Sequence, residues 1–188
     1  ATTIIVILIL LGGVGGVGVF AYFSGKQRQE ADEATMTAVQ QVLSRDLKND
    51  YPATVKEVVK YYTEIQKCFY NQECTNEEIE QLGRQARQLF DAELQAINEE
   101  AEYILKLKAE VVNFKTKSWT MTSAAVAAST NVDYFEEDGF EFARIHCGYN
   151  IMENNVNNSV RMVYLLRRDA DKKWKIYGWD QAVNVNPQ

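Results

Sequence analysis

The run of residues from Ile4 to Phe23 contains no charged side chain, and the first charge in the chain is carried by Lys26. A run of this length is sufficient for a helix to cross a bilayer, which needs about 20 residues. A helix in the core of a soluble domain usually has a polar stripe, and this segment has none. The sequence therefore predicts a transmembrane anchor at residues 1–25, followed by one polar, globular domain.

The segment has two alternative interpretations besides a retained anchor. A cleaved signal peptide has a shorter apolar core and a small-residue cleavage site, whereas Ala21–Ser24 gives no Ala-x-Ala pattern. A pilin-type helix carries an acidic residue near its start, which is absent here. The chain begins without Met and without a basic flank before Thr2, so we expect a truncated N-terminus. We predict a single-pass anchor that is retained.

The formal charge of −6 belongs entirely to the residues after the anchor. An acidic domain is a poor partner for nucleic acid, which requires a basic face. The sequence contains no phosphate loop, nucleophile elbow or dinucleotide fingerprint. Its three cysteines and one histidine match no zinc signature. We therefore expect no cofactor, no metal and no nucleic-acid partner.

Helical periodicity dominates up to about residue 116. Residues 26–50 are strongly polar with one narrow apolar stripe, and they predict a juxtamembrane helical linker. Tyr51-Pro52 ends it. Three further helices are predicted, the first capped by Thr54 and reaching about Tyr70, the second opened by the capping box Thr75–Glu78, and the third running from Asn98 to about Thr116.

After Trp119 the period changes to two, which indicates strands. Asp138-Gly139 is a strong hairpin signal. The pattern predicts four antiparallel strands, at residues 118–134, 140–153, 160–168 and 174–180. Helices followed by a strand meander predict an α+β domain at residues 51–182, with helices packed on a curved four-stranded sheet, and a short tail at 183–188.

The segments Val163–Asp169 and Lys173–Trp179 resemble the closing hairpin of a nuclear-transport-factor-2-like domain, the cystatin-like α+β cone. A closer likeness, to uncharacterised, singly anchored bacterial proteins of that type, is carried by Tyr51–Tyr62, Cys68–Cys74 and Asp133–Arg144. The resemblance covers about Asp46 to Asp180. It implies the cone fold and a place on the bacterial cell membrane, with the C-terminal domain extracytoplasmic.

That superfamily includes isomerases, dehydratases, cyclases, binding modules and envelope scaffolds, so the resemblance does not select an activity. Its enzymes place an Asp–His or a Tyr–Asp pair inside the cone. The single histidine, His146, has Arg144 and Gly148 as its neighbours on the same strand face, and neither is a carboxylate. No catalytic pair can be assigned from the resemblance.

Four residues are predicted to bind a ligand. Arg144 and His146 share a strand face; if that face lines the cone, Arg144 offers a planar fork to an anionic group. If it is the outer face, both are solvated or lie in a protein contact. Tyr62 and Tyr177 are aromatic residues suited to a pocket wall, although core packing is the simpler interpretation.

Cys68 and Cys74 flank the turn between two predicted helices. In an oxidising compartment they are predicted to form a disulfide, and the alternative is two reduced thiols with Cys68 buried. Cys147 lies on the apolar side of its strand and is expected in the core.

The leading hypothesis is a membrane-tethered, extracytoplasmic, non-catalytic domain, held in the membrane by Ile4–Phe23, that binds a protein partner or a small ligand. A homodimer formed through the sheet is a further possibility. The alternatives are a structural subunit of an envelope secretion or conjugation assembly, and an isomerase- or cyclase-type enzyme that uses the cone. An enzyme requires a deep pocket with two convergent titratable groups, whereas a scaffold predicts a filled cone and an apolar patch on the sheet.

Overall fold

The structure, a computed structural model, describes residues 36–182. Within them the helices precede the strands. The helices are α1 Ala38–Leu43, α2 Val55–Asn71, α3 Asn76–Arg87, α4 Ala92–Ile97 and α5 Glu100–Thr116. The strands are β1 Thr120–Val126, β2 Asp133–Glu137, β3 Phe140–Glu153, β4 Val156–Arg168 and β5 Trp174–Gln181. The α+β class and the antiparallel sheet are confirmed.

The predicted architecture is wrong in two respects. The sheet in the described residues has five strands instead of four, in the order β1-β3-β4-β5 with β2 also paired to β3. Within residues 36–182 no helix combines the length and the apolar character needed to cross a membrane. The predicted anchor at residues 1–25 and the tail at 183–188 lie outside the described residues.

The additional strand arises because the predicted strand 118–134 is divided in two. A 3-10 turn at Ser129–Asn131 separates β1 from β2, and the N–H of Asn131 donates to the carbonyl of Ala128 at 2.9 Å. Short polar side chains favour such turns because they compete with the backbone for hydrogen bonds. As a result, β1 pairs with the second half of β3 and β2 pairs with its first half.

The two hairpins that follow are tight. Asp138 and Gly139 have φ values of 53° and 78°, and Asn154 and Asn155 have 48° and 64°. Positive φ at both central residues defines a type I′ turn, whose twist matches that of paired strands. Strand β3 has the predicted bounds, whereas β4 begins at Val156 because two asparagines complete a turn that was predicted to be longer.

The capping signals are confirmed. The hydroxyl of Thr54 accepts from the Glu57 N–H at 3.2 Å, and the hydroxyl of Thr75 accepts from the Glu78 N–H at 3.1 Å. Both helices also show the reciprocal bond from the glutamate side chain. These bonds satisfy first-turn N–H groups that have no partner within the helix.

The chain beyond α3 differs from the prediction. Helix α3 ends at Arg87, Gln88 and Leu89 form a turn, and Phe90 is extended instead of helical. It pairs with β5 in parallel, because the N–H of Asp91 donates to Ile176 and the N–H of Ile176 donates to Leu89, both at 2.8 Å. The short helix α4 then follows, capped by Asp91, and was not predicted.

In the described part of the predicted linker, helix covers only Ala38–Leu43. Val39 and Leu47 are each 4% exposed, so this segment joins the core. The hydroxyl of Tyr61 on α2 donates to the carbonyl of Val42 at 2.7 Å, which holds α1 against the domain. Residues 26–35 lie outside the described residues.

The sheet has two different faces. On β3, the residues predicted to point inward are buried, namely Ala143, Ile145, Cys147, Tyr149 and Ile151. Helix α2 lies against this inner face, with the ring of Tyr62 5.7 Å from that of Trp179 and 6.0 Å from that of Tyr164. The alternate residues form the outer face.

Candidate functional site

The space between α2, α5 and the inner face of the sheet, which corresponds to the interior of the predicted cone, is filled with side chains. The cavity there has a volume of about 10 Å³, roughly enough for one water molecule. Its lining is largely aromatic and consists of Tyr62, Gln66, Phe69, Tyr70, Tyr103, Leu107, Glu110 and Trp179. In this form the cone does not admit a substrate-sized ligand.

A hydrogen-bonded network occupies the polar part of this interior. Gln66 is 2% exposed and accepts a hydrogen bond from the Tyr149 hydroxyl at 2.8 Å. The Tyr164 hydroxyl lies 2.6 Å from the Tyr149 hydroxyl. Because Tyr149 already donates its proton to Gln66, Tyr164 is the donor in this second bond. Burial raises the pKa of both tyrosines, which therefore stay neutral. A satisfied network of this kind rigidifies a core.

Glu110 and Tyr70 form a second polar pair at the same cavity. The Tyr70 hydroxyl donates to Oε1 of Glu110. Burial raises the pKa of the Glu110 carboxyl to about 7, and the hydrogen bond from Tyr70 opposes that shift. The pair was not identified from the sequence. The available signal was a glutamate next to Val111 and three residues after Leu107, on the buried stripe of α5.

The outer face carries a group of aromatic, aliphatic and basic side chains that we call the outer patch. The ring of Phe142 stacks on that of Phe135 at 5.5 Å and meets that of Tyr177 edge-on, also at 5.5 Å. Its members are Phe135, Phe142, Arg144, His146, Val163, Leu165 and Tyr177. Phe142 is buried by its neighbours, Arg144 and His146 are exposed, and the others are half-buried.

Arg144 is held in place within the outer patch. Its guanidinium carbon lies 4.3 Å from the centre of the Phe135 ring, and Nη1 lies 3.3 Å from Oδ2 of Asp133. Its side chain still keeps 53% of its surface exposed. The planar cation is therefore preorganised on an aromatic ring and open to solvent on one side.

The four predicted ligand-binding residues fall in two places. Arg144 and His146 share the outer face of the sheet and therefore do not line the interior. Tyr177 lies at a β-bulge within the outer patch, and its hydroxyl donates to Glu93 at 2.9 Å. Tyr62 is 5% exposed and lies inside the cone, on the other side of the sheet.

A charged cluster joins α4 to the sheet. Arg167 holds Asp91 with two bonds, Nη2 to Oδ1 at 2.6 Å and Nε to Oδ2 at 3.0 Å. Its Nη1 donates to Glu93 at 2.7 Å. The adjacent open cleft of about 350 Å³ also contains Arg168 and Lys175. Arg168 donates to Glu141 and Lys175 donates to the carbonyl of Gln88, both at 2.8 Å. The cationic side chains of this cluster therefore form hydrogen bonds within the domain that stabilise the fold.

The three cysteines are free and buried. The thiol of Cys74 donates a hydrogen bond to the carbonyl of Cys68 at 3.3 Å, so the two residues lie close together but are not joined by a disulfide bond. Burial raises the pKa of Cys68 to about 11 and that of Cys74 to about 12, which favours the thiol form. The disulfide stays a prediction. Within residues 36–182 no three His, Cys, Asp or Glu side chains are placed to hold a metal ion.

Comparison with known proteins gives a family without an assigned activity. No curated protein matches the chain. The family model described as a domain of unknown function, DUF6715, matches residues 1–179, and the chain therefore belongs to this family.

Proposed function

We propose that this chain is a non-catalytic protein-binding domain and that the outer patch is its contact surface. The observation that carries the proposal is the contrast between the filled cone, with a cavity of about 10 Å³, and the exposed apolar and basic groups on the other face. A domain that bound a small molecule in the cone would need a cavity of several hundred Å³.

The composition of the outer patch supports this role. Aromatic residues and arginine are enriched at protein interfaces, and most of the binding energy comes from a few such residues. Phe135, Tyr177 and Arg144 are of this kind, and Val163 and Leu165 add apolar area beside them. Their ring contacts hold them in position before binding, which lowers the entropic cost of association.

The same residues define the chemistry of the partner. The open side of Arg144 suits a carboxylate, and His146 next to it on the strand adds a hydrogen-bond donor. The aromatic and aliphatic members suit an apolar contact. The proposed partner is therefore a protein surface with an apolar centre and an acidic residue at its margin.

We also infer a nuclear-transport-factor-2-like cone. The β3–β4–β5 meander, the position of α2 against the inner face and the final strand with Lys175, Ile176 and Tyr177 support this assignment. Location outside the cytoplasm of a bacterial cell stays a prediction from the sequence.

A second candidate function, acid–base catalysis in the cone, is favoured by one observation. Glu110 has a pKa raised to about 7 and accepts a hydrogen bond from Tyr70 in the lining of this cavity. Perturbed carboxyls of this kind are common in active sites. A set of carbonyl compounds can be screened for stabilisation of the wild type and of Glu110→Gln. A compound that stabilises the wild type but not Glu110→Gln would favour the enzyme. If no compound in the set does so, the binding domain is favoured.

Site-specific photo-crosslinking tests the proposed function. A photoreactive amino acid replaces Leu165 in the outer patch or, as the control, Leu105 on α5, which is 64% exposed on the helical side. In cells that produce the chain, we expect a discrete crosslinked protein from position 165 only, and its loss when Arg144 and His146 are both changed to Ala. Equal products from both positions, or none from position 165, would contradict the proposal.

A further inference from the structure

The two edges of the sheet are protected differently. The β5 edge is covered by the segment Leu89–Asp91 through the backbone bonds described above. The opposite edge consists of β1 and β2. Strand β2 carries Asp133, Glu136 and Glu137, and charge discourages pairing with another strand. Strand β1 has no charge, no proline and no glycine. It therefore lacks the sequence features that usually prevent edge-to-edge association.

The backbone groups of β1 are open along part of this edge. The N–H of Ala127 donates to the carbonyl of His146 at 2.9 Å. Because alternate residues of an antiparallel ladder bond the partner strand, the N–H and C=O groups of Ala124 and Val126 point away from β3. Among residues 36–182, no strand pairs with that side of β1.

One end of the edge is closed by a side chain. The amide of Asn71, at the end of α2, donates to the carbonyl of Met121 at 2.8 Å and accepts from the Met121 N–H at 3.0 Å. The Asn71 side chain therefore occupies the Met121 N–H and C=O groups, with which a neighbouring strand would otherwise pair. Any strand that pairs with this edge must lie beyond Met121, along Ser123–Ala128, because Ser129 begins the 3-10 turn.

The sequence around that open segment is the same in both directions, centred on Val126. Residues 123–129 are Ser-Ala-Ala-Val-Ala-Ala-Ser. We propose that this edge pairs antiparallel with the same edge of a second copy of the chain, with Val126 on the two-fold axis. Val126 then faces the partner's Val126, and Ala125 faces the partner's Ala127.

Three physical features favour a second copy as the occupant. A two-fold interface brings the same patch from both subunits together, so the patch must be self-complementary. Here no like charges meet, and small side chains face small side chains. The outward N–H and C=O of Val126 are also placed for a reciprocal pair of hydrogen bonds. The proposal goes beyond the outer patch and does not depend on it.

Sedimentation velocity of the full chain tests the pairing. We expect a dimer for the wild type. Ala125 is exposed on the outer face, and in the dimer the two Ala125→Lys side chains lie about 7–8 Å apart. Repulsion should weaken the dimer at least tenfold at low salt. An equimolar mixture of A125K and A125E should restore it as a heterodimer. Ala170→Lys, in the exposed β4–β5 turn, is the matched control and should leave the dimer unchanged.

A second variant tests the backbone bonds directly. Val126→Pro removes an N–H that points away from β3 and so leaves the β1–β3 ladder intact. We expect a monomer with an unchanged circular dichroism spectrum. A wild type that is monomeric at every concentration tested would overturn the proposal, as would a dimer that both A125K and V126P leave unchanged. A dimer lost only in Leu165→Glu would place the interface on the outer patch instead.

Discussion

Both faces of the sheet carry apolar residues, but the surroundings of these residues differ. Leu165 and Leu166 are adjacent on β4; Leu166 is fully buried against the helices, whereas Leu165 lies half-buried on the outer face. The inner face is closed by α2 and an aromatic core, and the outer patch has no such cover in the described residues. A two-layer α+β domain closes one face for stability and leaves the other available for contact.

The largest expected effect is the difference in the free energy of unfolding between alanine substitutions of these two leucines. Leu166→Ala should lower the free energy of unfolding by about 3 kcal/mol, because it leaves a cavity in a close-packed core. Leu165→Ala should cost under about 1 kcal/mol, since the side chain is already half in water. Urea unfolding of both variants checks this. Equal losses in the free energy of unfolding would mean that the outer face is covered as well.

The next effect concerns the half-buried carboxyl of Glu110. The raised pKa of Glu110 means that the folded state holds a proton that the unfolded state releases between about pH 4.5 and pH 7. Stability contributed by that proton is complete below the unfolded pKa and is lost as the pH rises through 7. The loss is at most about 3 kcal/mol, because the remaining exposure of Glu110 screens its charge.

Glu110→Gln measures this loss. Its side chain still accepts from Tyr70 but cannot ionise, so its stability should be nearly constant between pH 5 and pH 8 and should exceed that of the wild type at pH 8. Urea unfolding at the two pH values gives the comparison. A wild type whose stability does not fall between them would show that the carboxyl is well solvated.

A smaller effect is expected from the tyrosine network. Tyr149→Phe removes the hydroxyl that bonds Gln66 and Tyr164, and it should cost about 1–2 kcal/mol because buried polar groups lose a partner. Tyr134→Phe is the matched control, since Tyr134 is 58% exposed. Thermal unfolding of the pair tests whether the inner hydroxyls matter more than the exposed one; similar values would argue against a cooperative network.

The smallest effect on stability is expected in the outer patch. Arg144→Ala and His146→Ala should each change the free energy of unfolding by less than about 0.5 kcal/mol, since both side chains are exposed and surface ion pairs contribute little. Calorimetry provides the measurement. A loss above about 2 kcal/mol would assign these residues to the fold rather than to binding.

The sequence predicted those parts of the fold that are governed by local chemistry. The capping boxes at Thr54 and Thr75 and the Asp138-Gly139 hairpin each depend on a few adjacent residues. The inward alternation of β3 follows from strand geometry alone. These features were identified because their hydrogen bonds join residues at most a few positions apart.

Features that depend on distant contacts were missed. Leu89 and Phe90 continue a helical stripe in sequence, yet Leu89 lies in a turn and Phe90 is extended because it pairs with Ile176. The pair of Tyr70 and Glu110 joins α2 to α5, and no local pattern brings them together. For the candidate site, sequence reasoning placed Arg144 and His146 on one strand face, but only the tertiary fold shows which face is open.

The central claim is that the outer face, and not the cone, makes the functional contact. Carbene footprinting of the chain in cells and after purification tests it most directly. We expect Val163, Leu165 and His146 to be protected in cells relative to the purified protein, with equal labelling of Leu105 on the helical side in both samples. Equal labelling of the outer patch in both samples, or protection confined to the helices, would contradict the account.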